Sequence, residues 1–72
     1  MQATINYKGM TIEDVTMSAV MNYTAAFDIP NERMTTELTQ QLTELGASIS
    51  FYTNGVHVIV NKKECEIIYK SL

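Results

Sequence analysis

Residues 31–69 read NERMTTELTQQLTELGASISFYTNGVHVIVNKKECEIIY, and this run decides the fold. Met34, Leu38, Leu42 and Leu45 recur at the spacing that lines up one face of an α-helix. The residues between them (Thr35, Thr36, Glu37, Thr39, Gln40, Thr43 and Glu44) form a mostly uncharged polar face. The spacing predicts a helix over 31–45, with Arg33 and Glu37 placed for an i,i+4 pair. Gly46 ends it, because glycine enters the left-handed conformation of a C-terminal cap without steric cost.

Beyond Gly46 the pattern alternates, with Ile49, Phe51 and Thr53 on one side and Ser48, Ser50 and Tyr52 on the other. Asn54-Gly55 is a strong signal for a two-residue type I′ hairpin turn. This predicts strands over 48–53 and 56–61, with Thr53 opposite Val56, Phe51 opposite Val58, Ile49 opposite Val60 and Tyr52 opposite His57. A second two-residue turn at Lys62-Lys63 would bring a strand at 64–70 alongside, Val60 facing Cys65 and Val58 facing Ile67. One face of this sheet carries Ile49, Phe51, Val56, Val58, Val60, Cys65, Ile67 and Tyr69, the natural seat for the helix. The open face carries Tyr52, His57, Ile59, Ile68 and Glu66 among smaller polar residues.

Working outward, Ala3, Ile5 and Tyr7 alternate with polar neighbours and run into Lys8-Gly9, so residues 2–8 read as a strand ending in a turn. Residues 12–27 carry two periodicities. A helix would gather Ile12, Val15, Ala19, Val20, Tyr23, Ala26 and Phe27 on one arc but strand Met17 and Met21 on the polar side. A strand would align Val15, Met17, Ala19, Met21, Tyr23, Ala25 and Phe27, at a length that requires a bend or bulge. The strand reading, over about 14–24, is preferred, with Asp28-Ile29-Pro30-Asn31 as the break before the helix. The fold class expected is α+β, a small antiparallel sheet packed against one amphipathic helix in a single domain, residues 1–72.

At 72 residues the chain buries only about 60% of its unfolded surface, so a single core barely outweighs chain entropy. One cysteine rules out an internal disulfide and no zinc-ligand spacing is present, which leaves self-association as the cheapest extra support. The apolar fraction of 46% is too high for a disordered chain. A net charge of −3 disfavours phosphate backbones and anionic lipid. No apolar run is long enough to span a bilayer, and Met1-Gln2-Ala3-Thr4 opens no secretion signal, so the expected compartment is the cytosol.

Cys65 and His57 are the only cysteine and histidine, and the predicted register points them to opposite faces, which disfavours a thiolate-imidazolium pair. Scattered carboxylates give no metal-ligand spacing, Glu64 and Glu66 read as solvated strand charges, and the isolated glycines make no phosphate loop. No catalytic, cofactor or metal site is therefore expected, nor can any family motif be quoted from these residues. Tyr52, His57, Ile59 and Ile68, with Glu66 at the rim, make an apolar and aromatic patch of the kind that marks an interaction surface.

The function expected is that of a small non-enzymatic binding protein acting stoichiometrically on a protein partner. An inhibitor or adaptor of the kind small mobile-element genomes encode fits, working as a homo-oligomer. The alternative is an oligomer that captures a small polar or nucleotide-like ligand between subunits, Tyr52 stacking and His57 or Lys62 meeting the anionic part. A weaker alternative, a winged-helix DNA-binding regulator, needs residues 12–27 to be helical and would present Glu32, Glu37 and Glu44 to the phosphates.

Overall fold

The chain folds as an α+β unit, six antiparallel strands and one α-helix, in a computed structural model that describes residues 1–71. The strands are β1 (Gln2–Tyr7), β2 (Met10–Val20), β3 (Thr24–Pro30), β4 (Ser48–Tyr52), β5 (Gly55–Asn61) and β6 (Cys65–Tyr69), with α1 (Thr36–Glu44) between β3 and β4. Single 3₁₀ turns at Asn31–Arg33 and Lys62–Glu64 complete the element order. The strands lie in the order β4-β5-β3-β2-β1-β6.

The ambiguous segment is strand, as preferred, but it is two strands rather than one over 14–24. The chain reverses at Met21-Asn22-Tyr23, where the Met21 N–H donates to the Thr24 carbonyl, 2.8 Å. The bend expected of a long strand falls within β2 as two bulges. Glu13 and Asp14 together oppose Thr4, and Ser18 is an extra residue between the pairs Met17–Phe27 and Ala19–Ala26. Each inserted residue reverses the inside-outside alternation. Val15 and Met17 therefore face the core while Ala19 turns outward. Asp14 takes φ 56° at the first bulge, a left-handed conformation that aspartate tolerates better than most residues. Asp28 to Pro30, expected as a break, instead finish β3, with Ile29 buried.

The helix starts later than the expected 31. Met34 is extended, and Thr35 caps α1 by accepting the Leu38 N–H on Oγ1, 3.0 Å. Its stripe lands as expected, Leu42 fully buried with Met34, Leu38 and Leu45 packed against the same core. At the other end the Gly46 N–H donates to Thr43 and the Ala47 N–H to Leu42, with Gly46 at φ 98°. That is the Schellman arrangement. The leftover Leu45 carbonyl accepts from the buried Tyr7 hydroxyl, 2.9 Å, and from Lys8 Nζ, 2.6 Å. The end of β1 thus holds the C-terminus of the helix, where a cation also suits the helix dipole.

Two strand pairings correct the sequence reading. The β4–β5 loop is Thr53-Asn54, closed by Tyr52 opposite Gly55, which moves Phe51 opposite Val56, Ile49 opposite Val58 and Ser50 opposite His57. Because the slip totals two residues, every side chain keeps its face. Strand β6 pairs with β1, Cys65 opposite Tyr7 and Ile67 opposite Ile5, and has no ladder with β5. Lys62-Lys63 lacks the glycine or asparagine that a tight β-hairpin favours. Asn61 Oδ1 instead caps a 3₁₀ turn through the Lys63 N–H, 2.9 Å. The turn carries the chain to the edge of β1, where Lys8 N–H donates to Glu64.

That connection forces the sheet to curl. From Asn61 to Cys65 four peptide steps reach at most about 14 Å, yet β5 and β6 stand four strand positions apart, about 19 Å in a flat sheet. The curl wraps Ala3, Ile5, Tyr7, Val15, Phe27, Ile29, Val56, Val58 and Val60 into one core under α1. It also leaves β4 and β6 as two free edges.

Candidate functional site

The outer face carries a polar row that runs across five strands. Gln2 of β1 lies opposite Thr16 of β2, Thr16 opposite Asp28 of β3, Asp28 opposite His57 of β5 and His57 opposite Ser50 of β4. Asp28 and His57 join, His57 Nδ1 to Asp28 Oδ1 at 2.7 Å. With Nδ1–H donating to the carboxylate, the ring is oriented and Nε2 is left as the free nitrogen. The Tyr52 ring stands edge-on to this imidazole, centroids 6.2 Å apart and planes at 76°. Tyr52 is 64% exposed, so most of this aromatic ring faces solvent beside an imidazole that Asp28 orients.

Beside this group lies an open hollow of about 540 Å³. Gly55, Pro30, Asp28 and Thr16 line it together with Tyr52, Asn54, Gln2 and Asp14. Asp14 is engaged by two cations of the same chain, Arg33 at 3.0 Å and Lys70. Arg33 thus serves the bulge on β2 and not the expected partner Glu37. Arg33 and Lys70 bring two positive charges to Asp14, and Asp28 adds a second negative one nearby, so the formal charges cancel and the hollow offers hydrogen-bonding groups and one aromatic wall without a strong field of either sign. Among the described residues no cluster of three or more metal-ligating side chains occurs.

The five residues expected to form one surface divide. Tyr52, His57 and Ile59 share the outer face of the β4–β5 hairpin, Ile59 being 40% exposed. Ile68 and Glu66 face outward on β6, opposite Thr4 and Asn6, with three strands between β6 and β5. The expected contiguity failed because it depended on β6 pairing with β5. Lys62 is also remote from Tyr52. It follows the far end of β5, and its N–H donates to Tyr23 at the β2–β3 turn. Asp28 was missed as the partner of His57, since the predicted break at 28–31 removed it from the sheet.

Cys65 packs against the core beside Tyr7 while His57 lies on the outer face, so thiol and imidazole remain apart, as the alternation required. Burial pushes the Cys65 thiol above its ordinary 9.0. The neutral form is therefore favoured in the folded chain, and alkylation at pH 8 is expected to be slower for native protein than for protein in urea. The same shift gives stability a sign: the unfolded thiol ionises first, so this contribution is intact below 9.0 and is lost as pH rises through the folded value. Equal alkylation rates in the two states would show that Cys65 is open to solvent.

Ser50 is the register neighbour of His57, yet no hydrogen bond joins them, so the row is a set of polar neighbours and not an assembled nucleophile and base. Residues 12–27, which a winged helix requires as a helix, form most of β2 and β3. No helix among the described residues is long and apolar enough to cross a membrane. What fold and site define is a small α+β protein with an exposed aromatic and an open hollow of mixed apolar and polar lining on one face of a curled sheet. No protein-family model matches this chain, and comparison with curated proteins and with solved structures likewise finds no match.

Proposed function

We propose that this chain is a non-enzymatic binding protein that acts stoichiometrically on a protein partner in the cytosol, as an inhibitor or adaptor, in a homo-oligomeric form. The observation that carries the reading is the Tyr52–His57–Asp28 group. An exposed tyrosine beside an imidazole oriented by a carboxylate offers a large apolar ring next to a hydrogen-bonding group, and aromatic anchors of this kind dominate protein interfaces. Ile59 extends the apolar contact along β5, and the polar row around them supplies the hydrogen-bonding rim.

The test compares wild-type protein with a Tyr52→Ala, His57→Ala double variant in affinity capture from the native host. A partner held in fixed stoichiometry by the wild type should bind the variant at least about tenfold more weakly. Equal retention by both proteins would remove this face as the working surface.

The hollow favours a second reading, capture of a small polar ligand against Tyr52. Its lining suits an uncharged hydrogen-bonding molecule better than a nucleotide, because Lys62 lies elsewhere and Arg33 and Lys70 are committed to Asp14. Native mass spectrometry of protein taken from its host separates the two: a retained small-molecule mass supports the ligand, and a bare chain mass counts against it.

A further inference from the structure

The two free edges of the sheet differ in how they are guarded. Strand β6 carries Glu66 and is flanked by Glu64 and Lys70, and charges on or beside an edge are the usual obstacle to pairing with another chain. From Ala47 to Asn54, β4 and its flanks hold no charged residue and no proline, and the β4–β5 ladder has no bulge. Phe51 points to the core side, opposite the buried Val56, yet is 69% exposed. It forms one wall of an open groove between α1 and β4, with Met34 and Thr39 on the other side. The inner layer is therefore unfinished at this edge.

Backbone alternation fixes what the edge can accept. A two-residue loop closes on a hydrogen-bonded pair, here Tyr52 and Gly55, so Ser50 also bonds across to β5. The N–H and C=O groups of Ile49 and Phe51 are then the ones directed off the edge. We propose that two copies of this chain pair antiparallel along β4 about a two-fold axis at Ser50. This deepens the oligomeric part of the function proposed above by naming its surface.

In that register Ile49 of one copy exchanges backbone hydrogen bonds with Phe51 of the other, twice, so all four outward-pointing residues are satisfied together. The same frame sets Ser50 against Ser50 and Ser48 against Tyr52 on the outer face. Ile49 against Phe51 on the inner face is a β-branched and aromatic pair, a favourable cross-strand combination. The segment is its own complement, with apolar residues meeting apolar ones and no charge meeting its like. A second copy is for this reason the occupant it fits, and the result is a continuous twelve-strand sheet whose two α1–β4 grooves adjoin.

Light scattering with mass determination should give a dimer at micromolar concentration for the wild type. Ser50→Lys should give a monomer, because it places two like charges opposite each other at the axis. An equimolar mixture of Ser50→Lys and Ser50→Glu chains should recover the dimer mass. In a Cys65→Ser background, Ser50→Cys should form an intermolecular disulfide in air, since directly opposed residues in a non-hydrogen-bonded pair lie closest, whereas Ser48→Cys should not. A wild-type monomer throughout the micromolar range overturns the proposal without needing any variant to fold, and so does a dimer indifferent to Ser50→Lys. Partner capture is read separately. A monomer that still loses its partner on Tyr52→Ala, His57→Ala substitution overturns the pairing and leaves the binding function, while a β4 dimer with no partner does the reverse.

Discussion

Gly55→Ala is expected to lower stability by about 3 kcal/mol, a large single-site loss for so small a chain. Gly55 has no positive φ, so the cause is not turn geometry. A methyl group at its α-carbon would stand 2.4 Å from the Ile29 carbonyl oxygen and 3.3 Å from both the Ile29 carbonyl carbon and the Pro30 α-carbon. All three atoms are backbone of β3, which is held by ladders to β2 and β5, so no flexible side-chain end can yield. Relief requires β5 to separate from β3 where Pro30 opposes Gly55. Gly46→Ala is the internal control, since Gly46 has φ 98° with only ordinary contacts at 3.8 Å and should cost about 1 kcal/mol for its left-handed backbone. Asn54→Ala should be nearly neutral, because Asn54 has no positive φ to protect. Urea midpoints for the three variants give the ranking. If Asn54→Ala and Gly55→Ala proved equally harmful, the type I′ frame would be restored and the Thr53-Asn54 loop refuted.

That contrast shows how far local sequence signals reach. Asn54-Gly55 correctly marks a hairpin within a residue, because turn chemistry is local, yet the glycine is spent on a close approach to Ile29, more than twenty positions away. Periodicity placed Met34, Leu38, Leu42 and Leu45 against the core, since a helix buries one stripe whatever it packs on. It also kept Ile49, Phe51, Val56 and Val58 on one face through a register error, because a shift totalling two residues preserves the side on which each side chain points. What alternation cannot encode is which strand lies beside which. Strand β6 satisfies the same inner pattern of Cys65 and Ile67 against β5 or against β1, and the choice is made by the cap on Lys62–Glu64 and by Lys8 reaching Glu64.

The candidate site was legible to the same degree. Tyr52 and His57 come from one hairpin and were placed together, although as diagonal neighbours instead of directly opposed residues. Asp28 and Asp14 depend on long-range pairing and on the bulges of β2. An inserted residue appears in the sequence only as a break in alternation, so Val20 and Ala26, apolar residues on the otherwise polar side of the strand pattern across 12–27, are the available sign that the strand bulges and reverses. Once β3 is recognised as a separate strand, Asp28 falls on the outward side of it and His57 becomes its natural cross-strand partner.

Phe27→Ala is the second substitution with a large expected effect, about 3–5 kcal/mol, from lost transfer free energy plus an unfilled cavity. Phe27 is fully buried at the centre of β3, opposite Val58 on one side and Met17 on the other, so it joins the strands on both flanks. A chain of 72 residues is expected to have a total stability of only about 4–11 kcal/mol, and its single cysteine allows no internal disulfide to offset the loss. The variant should therefore be partly unfolded at 25 °C or show a urea midpoint far below that of the wild type with a similar slope. Phe51→Ala removes the same atoms from a site that is 69% exposed, and should shift the midpoint little when the protein is held monomeric by Ser50→Lys. Like shifts for the two phenylalanines would mean that the core is not centred on β3, and the curled arrangement of strands around it would have to be abandoned.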